Sequence, residues 1–165
     1  MGRIVIIRGL PGSGKSCLGH ALAALSGALF IEPDMALVAD GEYRYAPMEY
    51  LAAEVVSRRL GRCWASLGAD VIYADVLPRR VDVERVASAL CAKAMPLVVT
   101  IRCGFPESVA LNVHRVDPDD ILKMERRFQE WPGGLEVPIV TPDSAMEAAG
   151  DVADALYLRR KGAEK

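Results

Sequence analysis

Eight residues near the start constrain this chain more than any other feature. Gly9-Leu10-Pro11-Gly12-Ser13-Gly14-Lys15-Ser16 reads G-x-x-x-x-G-K-S. The apolar run Ile4-Val5-Ile6-Ile7 precedes it, and Leu18, Leu22 and Leu25 follow at i, i+4, i+7, the spacing of a helix face. A strand, a glycine-rich turn and a helix in that order make a loop whose backbone N–H groups converge on one anion. The positive end of the helix adds to the field. The motif therefore predicts that Gly9, Gly12, Ser13, Gly14, Lys15 and Ser16 bind a nucleoside triphosphate, ATP. Lys15 is expected on the β- and γ-phosphates, and the Ser16 hydroxyl on Mg²⁺.

The rest of the chain fits one domain spanning residues 1–165 around that loop. At 52% hydrophobic content the chain has enough apolar mass for a core. No apolar stretch is long enough to span a bilayer, and Met1-Gly2-Arg3 runs straight into the first strand, so no membrane partner and a cytoplasmic location are expected. The four cysteines show no C-x-x-C pairing and sit inside apolar patterns, which predicts reduced core thiols. A net charge of −2 gives no global basic field for non-specific nucleic-acid binding, although a local basic patch is compatible with it.

Short apolar runs alternate with helical periodicity, the pattern of a doubly wound parallel α/β sheet. Expected strands are Ile4 to Ile7, Ala28 to Ile31, Val71 to Ala74, Leu97 to Ile101 and, more weakly, Glu136 to Val140. Expected helices follow the loop, span about Met48 to Leu67 and about Asp82 to Ala92, begin at Asp117-Pro118, and close the chain from Ser144 to Arg160. In the long helix Val56, Leu60, Cys63 and Leu67 share a face, and in the next Val83, Val86 and Leu90 do the same.

Ligands of such sheets lie beyond the carboxyl ends of the strands. Asp34, just after the second strand, is placed either to accept a proton from an attacking hydroxyl or to cap a turn. Asp75 ends Val71-Ile72-Tyr73-Ala74, four apolar residues then aspartate, and is a candidate Mg²⁺ ligand or a polar strand end. Cations for the charge that builds during transfer are sought in Asn112-Val113-His114-Arg115-Val116 and the helix after it. There Lys123, Arg126 and Arg127 lie opposite Ile121, Met124 and Phe128. Arg115 precedes the helix cap, where a lid arginine belongs.

Four segments together resemble the polynucleotide-kinase-like P-loop kinases: the phosphate loop, Asp34-Met35 with Asp40-Gly41-Glu42-Tyr43, the Val71 to Asp75 strand, and Asn112 to Val116. In appearance they are most similar to phage kinases that phosphorylate 5-hydroxymethyluracil in DNA. The resemblance implies a P-loop fold with a short lid, Asp34 as general base and Asp75 as the strand-end aspartate. It also implies Arg115 as a catalytic lid cation and nucleic acid, DNA, as acceptor. Tyr43, Tyr45, Asn112 and His114 become candidate acceptor contacts, with packed loop aromatics as the plainer reading of the tyrosines. The chain departs from the 5′-hydroxyl kinases at Leu37, where they carry an arginine, at Asp75-Val76-Leu77, where they have Asp-x-Asn, and at Arg115 and Asp117, in place of Gly and Pro. A polynucleotide 5′-hydroxyl kinase, a small-molecule kinase and a non-catalytic ATP-binding protein remain the alternatives. Asn112 is the chain's only asparagine, so a guanine-reading N-K-x-D motif is excluded.

Overall fold

The structure, a computed structural model, describes residues 2–39, 42–90 and 95–163; the side chains of Glu42, Tyr43 and residues 157–163 are not among them. In chain order β1 (Ile4–Arg8), α1 (Lys15–Ser26) and β2 (Leu29–Ile31) come first. A short 3-10 helix (Pro33–Leu37) and a small antiparallel hairpin, β3 (Val38–Ala39) with β4 (Glu42–Tyr43), follow. Then come α2 (Pro47–Ser66), β5 (Val71–Asp75), α3 (Arg80–Leu90), β6 (Leu97–Ile101), α4 (Phe105–Ala110), α5 (Pro118–Arg126), β7 (Leu135–Val137) and α6 (Ala145–Ala163). Five strands form one parallel sheet in the order β2-β5-β1-β6-β7. Every β1 and β5 residue is buried, as befits central strands covered on both faces.

Alternation along β1 divides the core. Val5 and Ile7 face α1 and α6 through Leu18, Leu22, Ala149 and Val152. Ile4 and Ile6 face the other side, where Val83, Val86 and Leu90 of α3 and Ala65 of α2 cover them. The α3 stripe lies inward as the spacing predicts. In α1 the inner face is Leu18, Ala21 and Leu22, while Leu25 is 49% exposed.

The long helix corrects two expectations. Val56, Leu60, Cys63 and Leu67 do share a face of α2, but that face points to solvent, with Val56 64% and Leu67 73% exposed. Its inner face is Glu54, Gly61 and Ala65. A Cβ on Gly61 would stand 2.6 Å from the Leu90 side chain, so the helix lies too close to α3 for anything larger. Glu54 is buried between Arg58 (3.2 Å) and Arg85 (3.3 Å), which supply the counter-charge a buried carboxylate needs. Of the described cysteines, half-buried Cys17 packs against the core as expected, whereas Cys63 is exposed and Cys103 is half-buried outside it. Cys91 lies outside the described residues. No helix among the described residues is long and apolar enough to cross a membrane.

Candidate phosphoryl-transfer site

The loop between β1 and α1 turns on two glycines in the left-handed region, Gly12 (φ 74°) and Gly14 (φ 95°). At Gly14 a side chain is excluded twice, by its dihedral and because a Cβ would lie 1.8 Å from the Val140 carbonyl oxygen. The segment after β7 is held there by Val140 N–H donating to Ser13 O (3.0 Å). From the other side Ser108 of α4, fully buried, donates its hydroxyl to Pro11 O (2.5 Å). The loop is thus clamped between two later segments of the chain.

Lys15 is buried, and its ammonium donates to Leu10 O (3.1 Å). Burial pushes its pKa down, against the pull of Glu32, Asp75, Asp34 and Cys103. Next to it Ser16 donates its hydroxyl to Glu32 Oε1 (2.8 Å). Glu32 follows β2 directly; burial raises its pKa, and its second oxygen, Oε2, is buried with no hydrogen-bond partner. Asp34 sits two residues on, half-buried in the first turn of the 3-10 helix, and its charge is felt by Lys15, Glu32, Asp75 and Tyr50. The structure therefore brings Lys15, Ser16, Asp34 and Asp75 together around one point and adds Glu32, which the sequence reading left without a role.

Asp75 closes β5 with its carboxylate buried. Tyr50 of α2 donates its hydroxyl to both carboxylate oxygens (2.8 Å each), and Val76 N–H donates to Oδ1 (2.7 Å). Desolvation outweighs these donors and lifts the Asp75 pKa to about 6, while burial and the neighbouring carboxylate push the Tyr50 phenol upward. Two residues on, Leu77 adopts φ 43° while 4% exposed, a left-handed backbone held by core packing.

Because burial raises the folded Asp75 pKa above the ordinary aspartate value of 3.8, the group favours the folded state most when protonated. Its contribution falls as pH rises from about 4 to about 6, by up to about 3 kcal/mol, and is flat above. Asp75→Asn removes that penalty while keeping an acceptor for Tyr50. The ligand-free variant is expected to resist urea better than the parent at pH 7.5, with the difference vanishing near pH 4. A variant weaker than the parent at pH 7.5 contradicts this account of Asp75.

Among the described residues no three His, Cys, Asp or Glu side chains converge to hold a metal alone. Ser16, Asp75 and the orphaned Glu32 oxygen nevertheless supply the hard oxygens Mg²⁺ takes when phosphates and water complete its shell. Those three side chains would hold it.

The Asn112 to Val116 turn lies between α4 and α5. The Asn112 amide donates to Val116 O (2.7 Å) and its oxygen accepts Val116 N–H (3.2 Å), so the side chain staples its own turn. That staple holds exposed Arg115 at φ 53°, a left-handed conformation that favours glycine. His114 is half-buried, close enough that its charge lowers the Glu32 pKa. Tyr45 is 61% exposed and tilts against Tyr50, ring centroids 5.9 Å apart. Asp40, Gly41 and the Tyr43 side chain lie outside the described residues. A cavity of about 480 Å³ opens beside the loop, lined in part by Leu10, Thr100, Cys103, Phe128 and Gln129.

No family model and no curated protein matches the sequence. Solved structures do. A gluconokinase from Sinorhizobium meliloti is similar at 18% identity over 96% of this chain and 97% of that one, with a TM-score of 0.61. The Mycobacterium tuberculosis APS kinase in complex with AMPPNP and APS is similar at 16% identity over 94% and 98%, with a TM-score of 0.64. A chain of the Pnkp1/Rnl/Hen1 RNA repair complex matches at 15% identity over 78% of this chain and 44% of that one, with a TM-score of 0.66. At such identities the likeness is one of fold: the five-stranded parallel sheet with its flanking helices is that of P-loop kinases.

Proposed function

We propose that the protein is an ATP-dependent phosphotransferase with an alcohol as acceptor. The observation that carries this reading is the convergence of a carboxylate, Asp34, on the loop that presents Lys15. Phosphoryl transfer needs little covalent chemistry from a protein; it needs the two oxygens placed in line and the charge on the transferred group neutralised. The glycine loop and Lys15 hold the β- and γ-phosphates of ATP, and Asp34 orients the acceptor hydroxyl and takes its proton. Mg²⁺, held from Ser16, Asp75 and Glu32, supplies charge neutralisation at the phosphate oxygens when bound. Arg115, fixed by the Asn112 staple, is the cation closing from the 104–127 segment. Kinase neighbours that share the fold support the reaction class.

For the acceptor we propose a hydroxyl on DNA, the 5-hydroxymethyl group of 5-hydroxymethyldeoxyuridine. Exposed Arg115, Arg126 and Arg127 form no ion pair among the described residues and offer cations to a phosphodiester backbone, although Asp117, Asp119, Asp120 and Glu125 leave the 115–127 segment neutral overall. Leu37, 5% exposed, offers nothing to a terminal phosphate, which favours an internal nucleotide over a 5′ end. A small-molecule alcohol is the second reading, favoured by the gluconokinase and APS kinase neighbours. The test is label transfer from γ-labelled ATP to three acceptors: DNA with internal 5-hydroxymethyluracil, unmodified DNA with free 5′-hydroxyls, and a panel of sugars and nucleosides. Label on the modified nucleoside after nuclease digestion is expected. Label confined to 5′ termini, or to a small alcohol, refutes the proposed acceptor.

A further inference from the structure

Arg8 is the last residue of β1, immediately before Gly9, and it is fully buried. Its Nη2 donates to Gln129 O (2.6 Å) and, at 3.5 Å, to Pro78 O, and its guanidinium lies 4.2 Å from the centre of the Phe128 ring. Nε and Nη1 are buried with no hydrogen-bond partner, and no carboxylate comes within ion-pairing distance among the described residues. Burial pushes the guanidinium pKa down to about 10, with Asp82 working against it from farther off. A buried cation with unmade donors is a poor way to build a core, because an apolar side chain of similar length fills the space without the desolvation cost. Local choices of this kind concentrate where function, not packing, sets the residue.

What Arg8 holds is the segment returning from α5. Gln129 N–H donates to Pro78 O (2.7 Å), Arg80 N–H to Gln129 Oε1 (2.9 Å), and Arg80 Nε to Glu130 O (2.8 Å). Residues 128–130 are thereby laced to residues 78–80, which follow β5, and the lacing crosses the end of β1 where Arg8 reaches up to it. The segment enters directly from α5, and α5 begins three residues after Arg115.

We propose that Arg8 is a positioning residue, latching the segment that returns from the lid onto the root of the phosphate loop. A nucleotide that orders residues 9–16 then fixes the trailing end of α5 through the residue next to Gly9, and with it the place from which Arg115 acts. The nucleotide-linked half rests on the phosphotransferase reading; the latch itself does not.

The test is hydrogen exchange on the full-length parent, Arg8→Met and Arg8→Lys, with and without Mg²⁺ and the ATP analogue AMP-PNP. Arg8→Met is expected to melt no lower than the parent and to bind AMP-PNP within about threefold of it. The amides of residues 129–131 should exchange at least tenfold faster, and the protection that the analogue confers on 105–127 should fall by half or more. Arg8→Lys, which keeps one donor for Gln129 O, should restore part of both. Unchanged exchange at 129–131 overturns the latch. So does a variant that fails to fold or speeds exchange across the whole sheet, because Arg8 then serves the core. Failure of the parent itself to bind AMP-PNP counts against the phosphotransferase reading instead.

Discussion

Lys15→Ala is expected to abolish measurable phosphoryl transfer, a loss of about 10³-fold or more, and to weaken ATP binding as well. Lys15 is the only formal cation in the loop, and its head is held against Leu10 O inside it, where the proposed function puts the phosphates. Glu32, Asp34 and Asp75 all act on it, so removing it leaves those carboxylates facing an incoming polyanion with nothing between. Burial strengthens each of these interactions, because little water remains to screen them. Isothermal titration with an ATP analogue beside a transfer assay reads both effects. Transfer at the parent's rate makes the loop a structural turn.

Asp34→Asn is expected to separate binding from turnover. ATP affinity should stay within a few-fold of the parent while single-turnover transfer falls by about 10²-fold or more, the scale of a positioned proton acceptor. The substitution keeps the side chain's shape in the short 3-10 helix and removes only its charge and basicity. If binding and transfer fall together, Asp34 serves the fold or the metal. The pH profile carries a second signature. Burial pushes the Asp75 pKa up to about 6, and a proton there would compete with Mg²⁺ at the proposed metal site, so Mg²⁺-dependent nucleotide affinity should decline below that pH.

The phosphate loop was legible in the sequence because its chemistry is local: two left-handed glycines, a lysine and a hydroxyl within eight consecutive positions. The strands were legible as well, since buried parallel strands are written as continuous apolar runs, and β1, β5 and β6 lie within a residue of their expected bounds. The α2 face was misread because periodicity locates the apolar stripe and assumes that it is the inner one. There the inner face is built from small residues and a paired charge, Gly61, Ala65 and Glu54, while the apolar stripe meets solvent. Tyr50 and Asp75 are 25 residues apart in the chain, and the bond between them exists only once α2 has packed beside β5. α4 has six residues, too few for a period to register, yet its Ser108 holds the loop. Glu32 and Arg8 each sit at a strand end and read as boundary residues; only the placement of their unpartnered atoms marks them out.

The fate of the γ-phosphate tests the central claim most directly. The protein, Mg²⁺ and γ-labelled ATP are incubated with a hydroxyl acceptor, and ADP, free phosphate and phosphomonoester are quantified together. The account predicts one acid-stable phosphomonoester on the acceptor hydroxyl for each ADP formed, with the yield collapsing in Lys15→Ala and Asp34→Asn. Label released only as inorganic phosphate, or ATP bound and left intact across the whole acceptor panel, contradicts it.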